Sequence, residues 1–248
     1  MGAKLMDHQQ YLSQIQFRFL QPQQKRPSGL RGVSLFLRKF GVHVEMLNTR
    51  LPEDEERMRQ TLAPVCKVPR MSTFAIGAII NRTVAQMPDD QCFVNIGVWN
   101  GFTFLAGLAN NPTKHCVGVD NFSHPNSPRS AFLNRFESLK DPAHTFFEMG
   151  FDEYFDEVHK GPIGFYIYDG GHSYKDQYEG LKRAEPFFAP GCMILVDDTN
   201  WEQVRHANTD FMAHRPGQYE LIFDRSTRRN GHPTFWNGVM MMRFKGRG

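Results

Sequence analysis

The sequence predicts an α/β protein built on a doubly wound, mostly parallel sheet, and three observations lead to this fold class. From residue 92 onward, short apolar segments alternate with segments of helix length, which is the pattern of consecutive βαβ units. The segment MILV at 193–196 is apolar throughout, as expected for a strand covered on both faces. The last two apolar segments, YELIFD and WNGVMMMRF, have no helix-length segment between them. We therefore expect five parallel strands followed by an antiparallel C-terminal hairpin.

The individual elements follow from caps, periodicity and turn residues. A helix is predicted in MSTFAIGAIINRTVAQM, with Ser72 or Thr73 as its N-cap. Strands are predicted in CFVNIG, HCVGVD, HTFFEM, GFYIYD and MILVDD. Helices are predicted at 103–110, 129–139, 174–187 and 202–213, with one or two helical turns at 153–158.

Residues 1–70 differ from the rest and predict an N-terminal helical extension to a main domain at 71–248. The segment DHQQYLSQIQFRFLQ spaces Tyr11, Ile15 and Phe19 on one face of a helix. The segment LPEDEERMRQTLAPV begins with a proline and acidic residues, which suits a helix N-terminus. The extension either covers the pocket of the main domain or forms a homodimer contact.

Composition excludes several classes of protein. The chain has 248 residues and a net charge of +3, without the clustered basic face that nucleic-acid binding needs. It contains neither a signal-peptide pattern nor a run of about 18 apolar residues, so we expect a cytoplasmic protein with no membrane segment. The four cysteines lack CxxC spacing, which predicts small buried hydrophobic residues and no zinc site.

Polar or glycine-rich residues follow each of the five predicted parallel strands. These strand ends read GVWNG at 97–101, DN at 120–121, GFD at 150–152, DGGH at 169–172 and DDTN at 197–200. Because ligands of open α/β sheets bind beyond the carboxyl ends of the strands, we expect these residues to form one active-site edge.

The first two strand ends suggest a nucleoside-binding site. Gly97 and Gly101 would let a ligand approach the backbone, although glycine is also common at such turns for packing. The spacing is not G-x-G-x-x-G, so it does not indicate a dinucleotide pyrophosphate site. Asp120 ends the next strand, where an acidic residue can bind both ribose hydroxyls or act as a turn cap.

The segments FVNIGVWNGFT, CVGVDNF and FYIYDGGHSYKDQYEGLKRAEPFFAPGCMILVDDTN resemble the successive signatures of class I S-adenosylmethionine-dependent methyltransferases. The resemblance covers residues 92–244. Within this class, the sequence is similar to small-molecule O-methyltransferases, including the macrolide-sugar and catechol types. It implies a Rossmann-like fold and S-adenosylmethionine as cofactor. The cofactor-binding residues expected from it are Asn95, Gly97, Asn100, Gly101, Asp120, Asn121, Gly150, Phe151, Asp152 and Asp169.

Two of these positions depart from the family pattern. The family usually has an acidic residue where Asn95 stands, and commonly another where Phe151 stands. Asn95 could still hydrogen-bond the cofactor amine without charge assistance. Phe151 could cover the adenine by stacking.

The resemblance also implies a metal and a base. Asp169, Asp197 and Asp198 match the positions at which metal-dependent relatives bind Mg²⁺, although the aspartates could instead be helix and loop caps. His172 follows two glycines and is the candidate base, with Asp169 as the second catalytic residue. A loop histidine bonded to neighbouring backbone is the alternative.

These features predict a methyltransferase acting on a hydroxyl oxygen of a small natural product or sugar-like molecule, assisted by Mg²⁺. The acceptor would be bound by the N-terminal segment, the loop at 122–130 and the region after Asp198, including Trp201. Two alternatives remain: a non-catalytic module that binds a nucleoside cofactor, and a carbohydrate-tailoring enzyme with the same fold. An iron site would favour the latter, but the sequence has no evident spacing for two histidines and a carboxylate.

Overall fold

A computed structural model describes residues 6–38 and 40–247, which contain a seven-stranded mixed sheet beside a two-stranded one. The strands are β1 (Gln16–Phe17), β2 (Thr49–Arg50), β3 (Cys92–Ile96), β4 (His115–Val119), β5 (His144–Phe147), β6 (Ile163–Tyr168), β7 (Phe188–Asp197), β8 (Tyr219–Arg225) and β9 (Val239–Phe244). The large sheet has the order β5–β4–β3–β6–β7–β9–β8. Strands β3 to β7 are parallel, and β9 runs antiparallel between β7 and β8. The predicted Rossmann-like fold class is confirmed.

Helices cover both faces of the large sheet. They are α1 (His8–Ser13), α2 (Leu30–Arg38), α3 (Val44–Asn48), α4 (Glu55–Leu62), α5 (Phe74–Gln86), α6 (Phe102–Leu108), α7 (Arg129–Leu139), α8 (Phe151–Glu153), α9 (Tyr174–Ala184) and α10 (Glu202–Ala213). A π-helical segment follows α8 at Tyr154–Val158, and short 3₁₀ turns lie at Val65–Lys67 and Glu185–Phe187. Thr73 caps α5 through its side chain, which accepts a hydrogen bond from the Ile76 amide.

The core has two parts, one on each face of the sheet. Alternate side chains of a strand enter different parts: Phe165 and Ile167 pack with α5, α6 and α7, whereas Tyr166 and Tyr168 pack with α9 and α10. This period-2 division explains why the central strands are apolar at every position. Cys66, Cys92, Cys116 and Cys192 are all buried in these two parts, as predicted.

The chain reverses its direction of winding between β3 and β6, which are neighbours in the sheet. From β3 the chain continues to β4 and β5 on one side, and from β6 to β7 on the other. A crevice forms at such a switch point, beyond the carboxyl ends of the two strands. The polar strand ends found in the sequence therefore surround one crevice.

The predicted N-terminal helix at 7–21 is wrong beyond its first half. Helix α1 ends at Ser13, and the chain then enters β1, which pairs with β2. The Asn48 side chain accepts hydrogen bonds from the amides of Phe19 and Leu20 and thereby fixes the extended backbone. Tyr11 is buried, but Phe19 is 68% exposed, so long-range pairing overrides the helical period.

None of the helices in the described part of the chain combines the length and apolar character that a membrane crossing requires.

Candidate active site

The glycine loop and the end of β6 meet at the switch point. Gly97 has φ +79°, and a Cβ there would overlap the carbonyl of Asp169. The Asp169 amide donates to the Ile96 carbonyl at 2.8 Å, which fixes the two strand ends together. Gly101 has φ +98° and precedes α6, where a Cβ would lie 2.8 Å from the Phe132 ring. Glycine is therefore needed at both ends of the loop, one for the switch point and one for helix packing.

Asp120 organises the same loop from the end of β4. Its Oδ2 accepts hydrogen bonds from the amides of Val98 and Trp99 at 2.9 and 3.0 Å. Its Oδ1 accepts from the Phe122 amide at 2.8 Å. A carboxylate oxygen can accept more than one hydrogen bond, so Asp120 retains capacity for ribose hydroxyls. The bond from Phe122 is the turn cap considered from the sequence, and the bonds from Val98 and Trp99 add support of the glycine loop that the sequence did not indicate.

Three asparagines predicted to bind the cofactor occupy different environments. Asn95 is fully buried, and its Oδ1 has no hydrogen-bond partner among the described residues. The Asn100 side chain accepts from Arg135 at 3.1 Å, and Asn121 is exposed and accepts from the Ser123 amide. Asn95 thus has an acceptor atom available for an amine, whereas Asn100 and Asn121 are used in local structure.

The third strand end lies beside the switch point through Phe151. The Phe151 ring packs edge-to-face on Tyr168, with 5.5 Å between ring centroids, and Tyr168 directly precedes Asp169. Gly150 precedes α8, and the side chain of Asp152 is exposed. Phe151 is half-buried, so one part of its ring is available to a ligand.

Asp169, His172 and Asp198 form a cluster of potential metal ligands. One ligand atom of each lies within 4.8 Å of the other two. His172 Nε2 lies 3.0 Å from Asp198 Oδ2 and 3.6 Å from Asp169 Oδ1. Despite these short separations, Nε2 is buried and its direction does not meet hydrogen-bond geometry. His172 Nε2 therefore lies close to both carboxylates without forming a well-directed hydrogen bond to either.

This donor set fits a divalent cation. In octahedral coordination with ligands at about 2.1 Å, adjacent ligand atoms are about 3 Å apart. The 3.0 and 3.6 Å separations at His172 lie near that value. The cluster has two carboxylates and one histidine, which reverses the two-histidine, one-carboxylate set of many iron oxygenases.

Asp197 lies outside this cluster, contrary to the predicted set of three aspartates. Asp197 is buried, and this burial, together with the carboxylates of Asp169 and Asp198, raises its pKa well above the usual range. The third residue close to Asp169 and Asp198 is His172. The change arises because residues 197 and 198 follow one another at a strand end, where consecutive side chains point in different directions.

The cluster also perturbs its own ionisation. Burial raises the pKa of Asp169 to about 6. Burial alone would lower the pKa of His172, but the two neighbouring carboxylates raise it to about 10. In the absence of another cation, His172 is therefore the positive charge that compensates Asp169 and Asp198.

Asp198 is positioned by residues that the sequence did not indicate. It adopts φ +54°, a left-handed conformation that is strained for a residue other than glycine. Its Oδ1 accepts a hydrogen bond from the Asn237 side chain, which is 39 positions away in the chain. The Trp201 ring packs edge-to-face on His172 with 4.7 Å between centroids.

Residues 94–199 match the sequence model of a family described as a methyltransferase domain. The match begins in β3 and ends after β7, so it includes the glycine loop, Asp120 and the carboxylate cluster. This match supports the predicted resemblance to class I S-adenosylmethionine-dependent methyltransferases, including small-molecule O-methyltransferases. No curated protein sequence matches the chain significantly.

Solved methyltransferase structures share the fold over nearly the whole chain. The cofactor-bound Rv0187 protein from MTB matches with a TM-score of 0.57 and 15% identity, covering 91% of this chain and 100% of its own. The O-methyltransferase TomG of Streptomyces achromogenes, solved with S-adenosylmethionine, matches with a TM-score of 0.54 and 12% identity, covering 89% and 100%. An O-methyltransferase of Bacillus cereus in complex with SAH matches with a TM-score of 0.51 and 12% identity, and the match covers 86% of this chain and 97% of that one. At such identities the likeness concerns the fold alone.

Proposed function

We propose that this methyltransferase transfers the methyl group of S-adenosylmethionine to a hydroxyl oxygen of a small natural product or sugar-like molecule, with Mg²⁺ assistance. The observation that carries the proposal is the convergence of Asp169, His172 and Asp198 beside the glycine loop. The O-methyltransferases among the structural matches also support an oxygen acceptor. A cytoplasmic location and a homodimer stay predictions.

In the proposed reaction, a new bond forms between the acceptor oxygen and the methyl carbon as the carbon–sulfur bond breaks. The sulfur keeps the electron pair of that bond, and the products are a methyl ether and S-adenosylhomocysteine. The acceptor proton passes to His172, whose Nε2 faces the cluster. The glycine loop and Asp120 hold the donor so that its methyl group faces the acceptor.

Asp169 and Asp198 would hold the cation, and His172 would remain unligated beside it as the base. When bound, Mg²⁺ would lower the pKa of the acceptor hydroxyl and orient its oxygen. The two carboxylates would otherwise keep His172 protonated near neutral pH, because they raise its pKa to about 10. A compensating cation in the cluster would free the imidazole to accept the proton.

Calorimetric titration with S-adenosylmethionine and S-adenosylhomocysteine tests the cofactor assignment. The wild-type protein should bind both ligands, and Gly97→Ala should lose detectable binding because its Cβ overlaps the Asp169 backbone. Gly161→Ala is the matched control, since Gly161 has open space around it and an ordinary backbone conformation.

A wild-type protein that binds neither ligand would refute the proposal. If it binds both but transfers no methyl group to any hydroxylated acceptor, the non-catalytic module becomes the better interpretation.

A further inference from the structure

The loop 226–238, which connects β8 and β9, lies at the same edge of the sheet as the carboxylate cluster. Asp197 at the end of β7 pairs with Val239 at the start of β9, and Val239 also pairs with Arg225 at the end of β8. A cavity of about 390 Å³ separates this loop from the N-terminal region and the start of α5. The residues of its wall that matter here are Arg26, Glu45, Ser72, Thr73, Asn230 and Trp236.

Asn237 connects this cavity with the candidate catalytic cluster. Its side-chain amide donates to Asp198 Oδ1, and its side-chain carbonyl accepts from the Gly231 amide at 2.8 Å. Gly231 is itself part of the cavity wall. A single side chain therefore separates the cavity wall from a ligand atom of the cluster.

The buried side of the cavity has hydroxyl groups and a compensated charge. Ser72 is 5% exposed, and its Oγ has no hydrogen-bond partner among the described residues. Glu45 forms an ion pair with Arg70, so its charge is already balanced. A buried hydroxyl without a partner costs free energy that a hydroxyl of a ligand can recover.

Another part of the cavity wall is aromatic. Trp236 is partly exposed on the wall, with Arg26 nearby, which donates a hydrogen bond to the Gly231 carbonyl at 3.2 Å. An aromatic face can pack on the apolar face of a ring, while hydroxyl and carboxylate groups bond the polar edge of that ring. The cavity volume is at the lower end of the range for small-molecule sites, about 300–1,000 Å³.

We propose that this cavity is the acceptor site and that the acceptor is a polyhydroxylated ring compound of one or two rings, such as a simple glycoside. The inference rests on the proposed methyltransferase function. It assigns Trp236 as the ring-packing surface and Ser72 as a hydroxyl-recognition residue. A larger acceptor would enter only with its terminal ring.

Ligand-observed NMR titration of the protein saturated with S-adenosylhomocysteine tests this assignment. The probe is phenyl β-D-glucopyranoside, and the comparison compound is 2-phenoxytetrahydropyran, which has the same ring without its hydroxyl groups. We expect the glucoside to bind at least about tenfold more tightly. Trp236→Ala should weaken glucoside binding by about tenfold, and Ser72→Ala by about threefold. Thr61→Ala, a hydroxyl on a separate cavity, should have no effect.

The outcomes separate this inference from the proposed function. Retained binding of S-adenosylhomocysteine in Trp236→Ala and Ser72→Ala, with weakened glucoside binding, supports the acceptor site. Equal binding of the two probes, or glucoside binding that neither variant changes, refutes it while the methyltransferase function stands. Absence of S-adenosylhomocysteine binding in the wild type would instead refute the proposed function.

Discussion

The two sides of the crevice differ in how their polar groups are paired. On the β3–β4 side, Asp120 accepts three backbone hydrogen bonds and Asn100 accepts one from Arg135, so most of the loop is paired, and Asn95 Oδ1 stays without a partner among the described residues. On the β6–β7 side, two carboxylates and an imidazole lie close together without good hydrogen-bond geometry, and Asp198 has a left-handed backbone.

This difference indicates which side depends on a ligand. A region whose polar groups are already paired keeps its shape without a ligand, so it can provide a preformed cofactor site. A region of converging charges gains stability when a cation or substrate arrives. The two sides should therefore respond differently to metal, to mutation and to pH.

The largest expected effect comes from removing Asp198. We expect Asp198→Ala to be inactive, to the same degree as the wild type in excess chelator, because the cluster loses a ligand and the partner of His172. Mg²⁺ should restore the chelated wild type but not the variant. Electron paramagnetic resonance of added Mn²⁺ measures cation binding directly.

The exposed Asp156, paired with Arg183, provides the control Asp156→Ala, which should bind Mn²⁺ normally. Full activity of the wild type in excess chelator would show that the carboxylates act without a metal.

The next effect concerns His172. We expect His172→Ala to lower turnover by about a hundredfold, as removal of a general base does, with cofactor affinity nearly unchanged. The pH–rate profile should also lose its lower limb. His206→Ala is the control, since His206 is exposed on α10. Unchanged turnover and an unchanged pH profile in His172→Ala would leave His172 as a charge partner only.

A smaller effect is expected on the preformed side. Asp120→Ala should weaken S-adenosylmethionine binding by at least about tenfold, or 1.4 kcal/mol, since ribose hydrogen bonds and support of the loop are both lost. Asp120→Asn keeps an acceptor oxygen for the loop amides, so it should lose less affinity for S-adenosylmethionine than Asp120→Ala. Calorimetry measures both affinities. Unchanged affinity in a folded Asp120→Ala protein would contradict the ribose assignment.

The smallest effect is the pH dependence of stability. The folded-state pKa of His172, raised to about 10, lies above its unfolded value, so its stabilising contribution is complete below about pH 6.5 and is lost as the pH rises towards 10. The melting temperature without metal should therefore fall between pH 7 and pH 9.5, by about 2–4 °C for each kcal/mol of stabilisation that is lost. Saturating Mg²⁺, or His172→Ala, should flatten this change. Calorimetric scans that show the same slope in all three samples would contradict the ion-pair role.

Local patterns explain why much of the fold could be predicted. The bounds of α7 and α10 follow directly from the sequence, because each helix carries its own periodicity between turn residues. The crevice follows from polar residues after apolar strands, since parallel strands bring their carboxyl ends to one edge. The helix predicted for the segment after α1 was wrong, because this segment pairs with β2 and that pairing depends on residues about thirty positions away.

The sequence by itself determined the α/β class and the presence of glycine and acidic residues at the edge of the sheet. Only the tertiary structure decided that Asp198 and His172 join Asp169, while Asp197 does not. It also decided that Asn237 supports Asp198 and borders a cavity formed with the N-terminal region. The physical reason is the range of the interactions: periodicity and turn chemistry act within a few residues, whereas side-chain convergence depends on strand order and backbone direction across the whole sheet.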